Sequence, residues 1–159
     1  MSPQIKPTEQ VLNALNETLK AEMTAVHQYL LHARVCANWG YRRLAELSRA
    51  EANEEFGHAE LLIDRILFLK GTPNLSELFP IQQCPNVKAQ LEHDLAFEME
   101  AVNRLNAAIQ MAAEAGDNVS RQLFEKILID ENQHVDHLEG ELHVIEEIGL
   151  ANYLAQQIH

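Results

Sequence analysis

The sequence predicts an all-α fold: a four-helix bundle made of two antiparallel helix hairpins joined by a long crossover, with a short C-terminal helix added. Three observations carry this. Glycine and proline are few, 6 and 5 of 159 residues, and cluster between long segments whose apolar residues recur at steps of three and four. One of the breaks between segments is far longer than the others. The apolar stripes also repeat at an offset of 76 positions, pairing Leu15 with Leu91, Leu19 with Leu95, Met23 with Met99, Val26 with Val102 and Leu62 with Leu138.

Taken in order, Thr8 caps a first helix over about 8–38, and Trp39 and Gly40 form the turn that follows. A second helix covers about 41–70. The stretch Gly71 to Asn86, GTPNLSELFPIQQCPN, contains three prolines and a glycine, so it cannot continue a helix and is a connection long enough to cross a bundle. A third helix covers about 87–115 and a fourth about 119–148, with a short turn at Gly116 and Asp117 between them. Gly149 ends the fourth, and 150–157 can form a short helix, apolar at Leu150, Leu154 and Ile158. All of this reads as a single domain over 1–159.

The same offset of 76 relates ionisable residues. Glu22, Glu55 and His58 recur as Glu98, Glu131 and His134, so a lone Glu followed 33 residues later by Glu-x-x-His occurs twice. The stripes place all six inward: Glu22 follows Leu12, Leu15 and Leu19, Glu98 follows Leu91 and Leu95, and Glu55–His58 and Glu131–His134 lie on the seams of Leu44, Glu51, Leu62 and of Phe124, Ile127, Leu138. Buried without a cation, four neighbouring carboxylates would repel one another at a cost of several kcal/mol per group. Two divalent ions cancel their charge. Four carboxylates and two imidazoles are the ligand set of a di-iron centre inside a four-helix bundle, with manganese and zinc as weaker competitors. A single Glu-x-x-His on a helix would mean little, but two at one offset, each matched to a seam Glu, point to metal.

Composition narrows the remaining classes. With 24 acidic against 12 basic residues, most of the surface repels phosphates, which argues against nucleic acid and anionic lipid as partners. No apolar run approaches the roughly 20 residues of a membrane span, and MSPQIKPT at the start lacks the apolar stretch of a signal peptide, so a cytoplasmic location is expected. Cys36 and Cys84 make no Cys-x-x-Cys pair and are expected as reduced thiols without a metal role.

The chain resembles the bacterioferritins over almost its whole length. The resemblance lies in Ala21-Glu22, QYLLHAR at 28–34, NWG at 38–40, EEFGHAE at 54–60, RILFLKGTPNL at 65–75, DENQH at 130–134 and NYLAQQI at 152–158. It implies a hollow shell of two dozen subunits that takes up Fe(II), oxidises it with dioxygen or hydrogen peroxide at an intrasubunit di-iron ferroxidase centre, and stores ferric mineral. By matched position it implies Glu22 and His58 as terminal ligands of one iron, Glu98 and His134 of the other, and Glu55 and Glu131 as bridges. Tyr29, on the seam two turns from Glu22, is either a further electron donor, as the resemblance implies, or a core tyrosine with a satisfied hydroxyl.

Two departures from the family pattern matter. Where bacterioferritins carry a haem-ligating methionine across a subunit twofold axis, this chain has Phe56, whose ring cannot bind haem iron. Met23 and His27 lie where the family lines its haem pocket and are either substitute haem ligands or, respectively, packing and a polar surface group. The shell is then either haem-free or mixed, with a haem-binding paralogue supplying the methionine. On the cavity side, a His and an Asp of some members are replaced by Ala50 and Glu54, leaving Glu54 and Glu51 as inner carboxylates or as solvated face. Alternatives to storage are a non-storing di-iron or di-manganese redox enzyme of peroxidase type, against which the appended apolar helix argues, and a non-catalytic structural or electron-transfer subunit, against which the complete ligand set argues.

Overall fold

The computed structural model describes residues 9–159. Five helices follow one another: α1 (Glu9–Trp39), α2 (Arg42–Phe68), α3 (Val87–Glu114), α4 (Asn118–Ile148) and the short α5 (Leu150–Ala155). The α1–α2 and α3–α4 hairpins are closed by tight turns, and the hairpins meet through α1 against α3 and α2 against α4. This is the ferritin-like bundle. The expected Thr8 cap lies outside the described residues.

The helix ends have local causes. Asn86 caps α3 by accepting from the Ala89 N–H at 2.8 Å, and Asp117 caps α4 by accepting from the Ser120 N–H at 3.0 Å. The second helix stops at Phe68 rather than at 70 because Lys70 adopts φ 64°, a left-handed conformation that ends the ladder. Gly71 then passes so close to α1 that a Cβ there would meet Leu12 Cδ2 at 2.6 Å, which excludes any larger residue without movement.

The crossover follows α1 and is fixed to it by side chains that reach main chain. Asn16 Oδ1 accepts from the Asn74 N–H at 2.8 Å, Thr24 Oγ1 from the Phe79 N–H at 2.9 Å, and Gln28 both donates to and accepts from the Gln82 main chain at 2.8 and 2.9 Å. Between residues 16 and 28 that is about 18 Å of helix. The Phe79 ring is held between two cations, Lys20 Nζ at 4.4 Å and the Arg104 guanidinium at 5.1 Å, which link the crossover to α1 and α3.

The interior has two larger apolar cores, a small third cluster of Ala25, Tyr29 and Ala52, and a polar layer between the larger two. One core gathers Leu15, Leu19, Leu62, Ile66, Leu105, Phe124 and Ile127; the other gathers Cys36, Leu44, Val87, Leu91, Leu138 and Tyr153. The seam expected on α1 is rotated slightly, since Leu12 and Val26 are only half-buried while Val11 and Ala25 are covered. A straight helix turns 3.6 residues per turn, so a strict alternation of three and four drifts off the buried face. The tail also departs from expectation. Tyr153 and Gln157 are its buried residues, and Ile158 is 52% exposed, because the α5 register is set by Tyr153 donating its hydroxyl to Glu141 and by the Gln157 carbonyl accepting from the Arg43 N–H at 2.9 Å.

Candidate metal centre

The polar layer contains the six residues that the repeat singled out. Glu22 comes from α1, Glu55 and His58 from α2, Glu98 from α3, and Glu131 and His134 from α4, and all six are buried. Spacing of three on α2 and α4 puts each Glu and His on one inward face. The two imidazoles present Nδ1 to the carboxylates. His58 Nδ1 lies 3.6 Å from Glu22 Oε2, 3.5 Å from Glu55 Oε2 and 3.3 Å from Glu131 Oε1. His134 Nδ1 lies 3.7 Å from Glu98 Oε1, 3.2 Å from Glu55 Oε1 and 3.6 Å from Glu131 Oε2. Glu55 and Glu131 thus each turn one oxygen to each histidine, whereas Glu22 approaches only His58 and Glu98 only His134. Two overlapping four-residue groups result, Glu22–Glu55–His58–Glu131 and Glu55–Glu98–Glu131–His134, with the ligand atoms of each within 4.8 Å of one another.

The donor atoms are unsatisfied in the way a cation cage requires. Both oxygens of Glu55, one each of Glu98 and Glu131, and Nδ1 of both histidines are buried without a hydrogen-bond partner. Such groups fit a pair of divalent ions and fit little else. The protonation pattern agrees. Burial, then the neighbouring Glu131 carboxylate, holds the Glu98 carboxyl well above its ordinary range. Burial opposes charge on His58, but Glu131 and Glu55, with Asp130, overcome it and push the imidazole up to about 10; His134 is raised in the same way, chiefly by Glu131, Glu55 and Glu98 against its burial. A cation held by these groups would take the place of the protons that such raised values favour.

The outer nitrogens are held by two acids that the sequence reading did not assign to this layer. His58 Nε2 pairs with Asp130 Oδ2 at 2.8 Å and His134 Nε2 with Glu54 Oε2 at 3.0 Å. Carboxylates in this position accept the Nε2 proton and leave the Nδ1 lone pair facing the cage. A signal existed: Glu54 and Asp130 stand 76 apart, each directly before a motif Glu. Tyr29 donates to Glu98 Oε1 at 2.5 Å, and burial, with Glu98 and then Asp94, raises its phenol well above the usual value. Glu51 stands beside this half of the cage, where burial, with Asp94 and Glu98, raises it to about 8 despite His134. Phe56 points away and is 51% exposed, while Met23 packs half-buried on the core and His27, on the surface, bonds the Met23 carbonyl at 2.7 Å. The phenyl ring at position 56 offers haem iron no donor atom.

The chain matches the Ferritin-like domain over residues 12–148. It is 44% identical over 147 residues to a bacterioferritin of Mycolicibacterium paratuberculosis, with 92% of each chain covered. It is 42% identical over 149 residues to the bacterioferritins of Streptomyces coelicolor and Brucella melitensis, covering 94% of this chain and 89% and 92% of theirs. This chain belongs to the bacterioferritins. As in that iron-storage family, the bundle is ferritin-like, and among the described residues no helix is long and apolar enough to cross a membrane. The family implies iron, and the bundle offers candidate metal-binding groups of carboxylates and imidazoles.

Proposed function

We propose that this bacterioferritin subunit oxidises Fe(II) at the six-residue cage with dioxygen or hydrogen peroxide, and passes ferric iron to a mineral inside a shell of about two dozen subunits. The supporting observation is the division of Glu55 and Glu131 between the two histidines, with Glu22 and Glu98 left to one side each. Glu22 and His58 hold one ion, Glu98 and His134 the other, and Glu55 and Glu131 span both. Two ferrous ions so held supply one electron each to the oxidant, which suits two-electron reduction without release of radicals. Asp130 and Glu54 keep the Nε2 protons in place, and the Tyr29 hydroxyl orients Glu98 and stands close enough to serve as an electron donor.

The chain acts as one domain over 1–159 in the cytoplasm, with Fe(II) and oxidant as its small partners. Its net charge of −12 suits a surface that attracts cations and repels nucleic acid. Leu30, Phe56 and Leu61 are 40%, 51% and 39% exposed on the α1–α2 hairpin, an apolar surface for a neighbouring subunit to cover. Phe56 favours one specific variation, a shell that is haem-free or that includes a paralogue able to ligate haem.

The test is to purify the protein from its host, measure assembly mass and subunit composition, record the Soret region, and then add Fe(II) with oxygen or peroxide. A one-chain shell without a Soret band that rapidly oxidises about two irons per chain and then mineralises is the expected result. A small oligomer that oxidises iron without mineral would replace storage with the non-storing redox enzyme. A Soret band would identify a haem-binding partner chain, or Met23 or His27 if only this chain is present.

A further inference from the structure

A second cluster of metal-ligating side chains lies outside the cage, where the crossover meets α1 and α3. One ring nitrogen each of His32 and His93 and the thiol of Cys84 lie within 4.8 Å of one another. His32 is 2% and the adjoining Asp94 6% exposed, while Cys84 and His93 are half-buried and leave the cluster open on one side.

Neighbouring hydrogen bonds fix the form of the His32 ring. Gln28 Oε1 accepts from the Gln82 N–H at 2.9 Å and Gln28 Nε2 donates to the Gln82 carbonyl at 2.8 Å, which sets the orientation of the amide. Gln28 Nε2 also lies 2.9 Å from His32 Nε2, and since the amide can only donate there, His32 Nε2 must accept. The ring proton is therefore on Nδ1, 3.0 Å from Asp94 Oδ2. An imidazole whose N–H is held by a buried carboxylate and whose other nitrogen is unprotonated, its lone pair engaged only by the Gln28 amide, is prepared as a metal ligand once that one bond is exchanged. The other Asp94 oxygen is 3.5 Å from His93 Nδ1, and the two imidazoles meet edge to face at 6.2 Å.

We propose that His32, Cys84 and His93 form a site for one borderline-soft divalent ion, Zn²⁺ by its ligand chemistry, separate from the carboxylate cage. One thiolate and two imidazoles, with a fourth tetrahedral position left for water, suit zinc; calcium and magnesium require oxygen donors, and the cage offers iron a harder ligand set. On binding, the sulfur–metal bond forms as the Cys84 proton passes to solvent. The Gln28–His32 hydrogen bond is given up, and Gln28 keeps both bonds to Gln82. The absence of a Cys-x-x-Cys pair hides such a site in the sequence, because its ligands come from α1, the crossover and α3. An ion there ties the crossover to both helices. It also places positive charge one helical turn from the Tyr29–Glu98 bond, since His32 is three residues from Tyr29 and Asp94 four from Glu98.

Cobalt(II) titrated into the full-length assembled protein tests this, because the carboxylate cage has no sulfur and only a thiolate site gives the ultraviolet sulfur-to-cobalt band. The band should saturate at one ion per chain, disappear on adding Zn²⁺, be absent in Cys84→Ser, and remain in Cys36→Ser and in the cage variant Glu22→Ala. Asp94→Asn should keep the band with affinity weakened about 10–100-fold, and His93→Ala should weaken it at least as much, with helix content and assembly mass checked against the unsubstituted chain. No band in the unsubstituted protein, a band that persists in Cys84→Ser, or unchanged affinity in His93→Ala would overturn the proposal. Loss of the band in Glu22→Ala would show that the thiolate site depends on the intact cage, and would overturn its description as a separate site.

Discussion

The two halves of the bundle, 76 residues apart, agree at the ligands and at the acids behind the histidines, and differ at other residues that back the cage. Tyr29 hydrogen-bonds Glu98, but its counterpart near Glu22 is Leu105; Glu51 stands beside His134, but its counterpart is Ile127, at the centre of an apolar core. One half of the cage is therefore backed by hydrocarbon and the other by a hydroxyl and a carboxyl. The helix starts diverge as well. Asp117 caps α4 and is bound by Arg65 at 2.7 Å, while its counterpart Tyr41 gives α2 no side-chain cap, and that helix obtains a carbonyl from Gln157 instead. Ligand geometry is what both halves retain, since two ions need equivalent surroundings, whereas support can be met in different ways.

The largest expected effect tests the equivalence. Glu22→Ala and His58→Ala on one side, and Glu98→Ala and His134→Ala on the other, should each slow the rapid Fe(II) oxidation phase more than about 100-fold, beyond the range for losing an outer hydrogen-bond partner, with assembly intact. Unchanged kinetics in Glu22→Ala and His58→Ala would sink the site assignment. Next come the acids behind the histidines: Asp130→Ala and Glu54→Ala should each weaken iron affinity about 10–100-fold, measured by calorimetry. Glu54 should show the smaller loss, since its side chain is 42% exposed against 26% for Asp130.

A smaller effect sharpens the asymmetry. Tyr29→Phe removes a hydrogen bond to a charged acceptor, about 1.5–3 kcal/mol, and should slow oxidation roughly tenfold or more if that energy is expressed at the transition state. A tyrosyl radical signal during turnover that vanishes in Tyr29→Phe would add electron donation to positioning; a rate equal to that of the unsubstituted protein would reduce the hydroxyl to packing. The least effect is on stability. Asp117→Ala should cost about 1 kcal/mol as a lost cap, seen as a lower Tm at neutral pH. Burial opposes ionisation of Asp117, but Ser120 and then Arg65 overcome it and lower its pKa. A lowered folded-state value means that the stabilisation is full above the unfolded value of about 3.9 and is lost as pH falls through the folded one. The Tm gap between the two proteins should therefore be constant from neutral pH to about pH 4 and close below it. A gap that persists in strong acid would mean that Asp117 contributes by packing alone.

Much of this was legible in the sequence because the signals were repeated. The helices follow from where glycine and proline fall, and the cage residues from an offset that also aligns leucines, so chance agreement had to be excluded only once. Glu54 and Asp130 were harder to read, because an acid on the outward edge of a helix looks the same whether solvated or bound to a histidine behind it. The buried Gln28, His32 and Asp94 were hidden for a related reason: apolar spacing locates a core by its hydrocarbon and gives no sign of polar residues that satisfy one another inside. The crossover has no periodicity at all. Its course is set by the single contacts of Asn16, Thr24 and Gln28, which only the folded chain brings together.

The carbonyl of Gln157 on the Arg43 N–H has a consequence for biosynthesis. During translation the α1–α2 hairpin, with half of the cage, leaves the ribosome well before position 157 has been decoded. Throughout that interval the first turn of α2 lacks a partner that only later codons provide. The helix bearing Glu55 and His58 thus gains one of its first-turn hydrogen bonds only after the tail has been made.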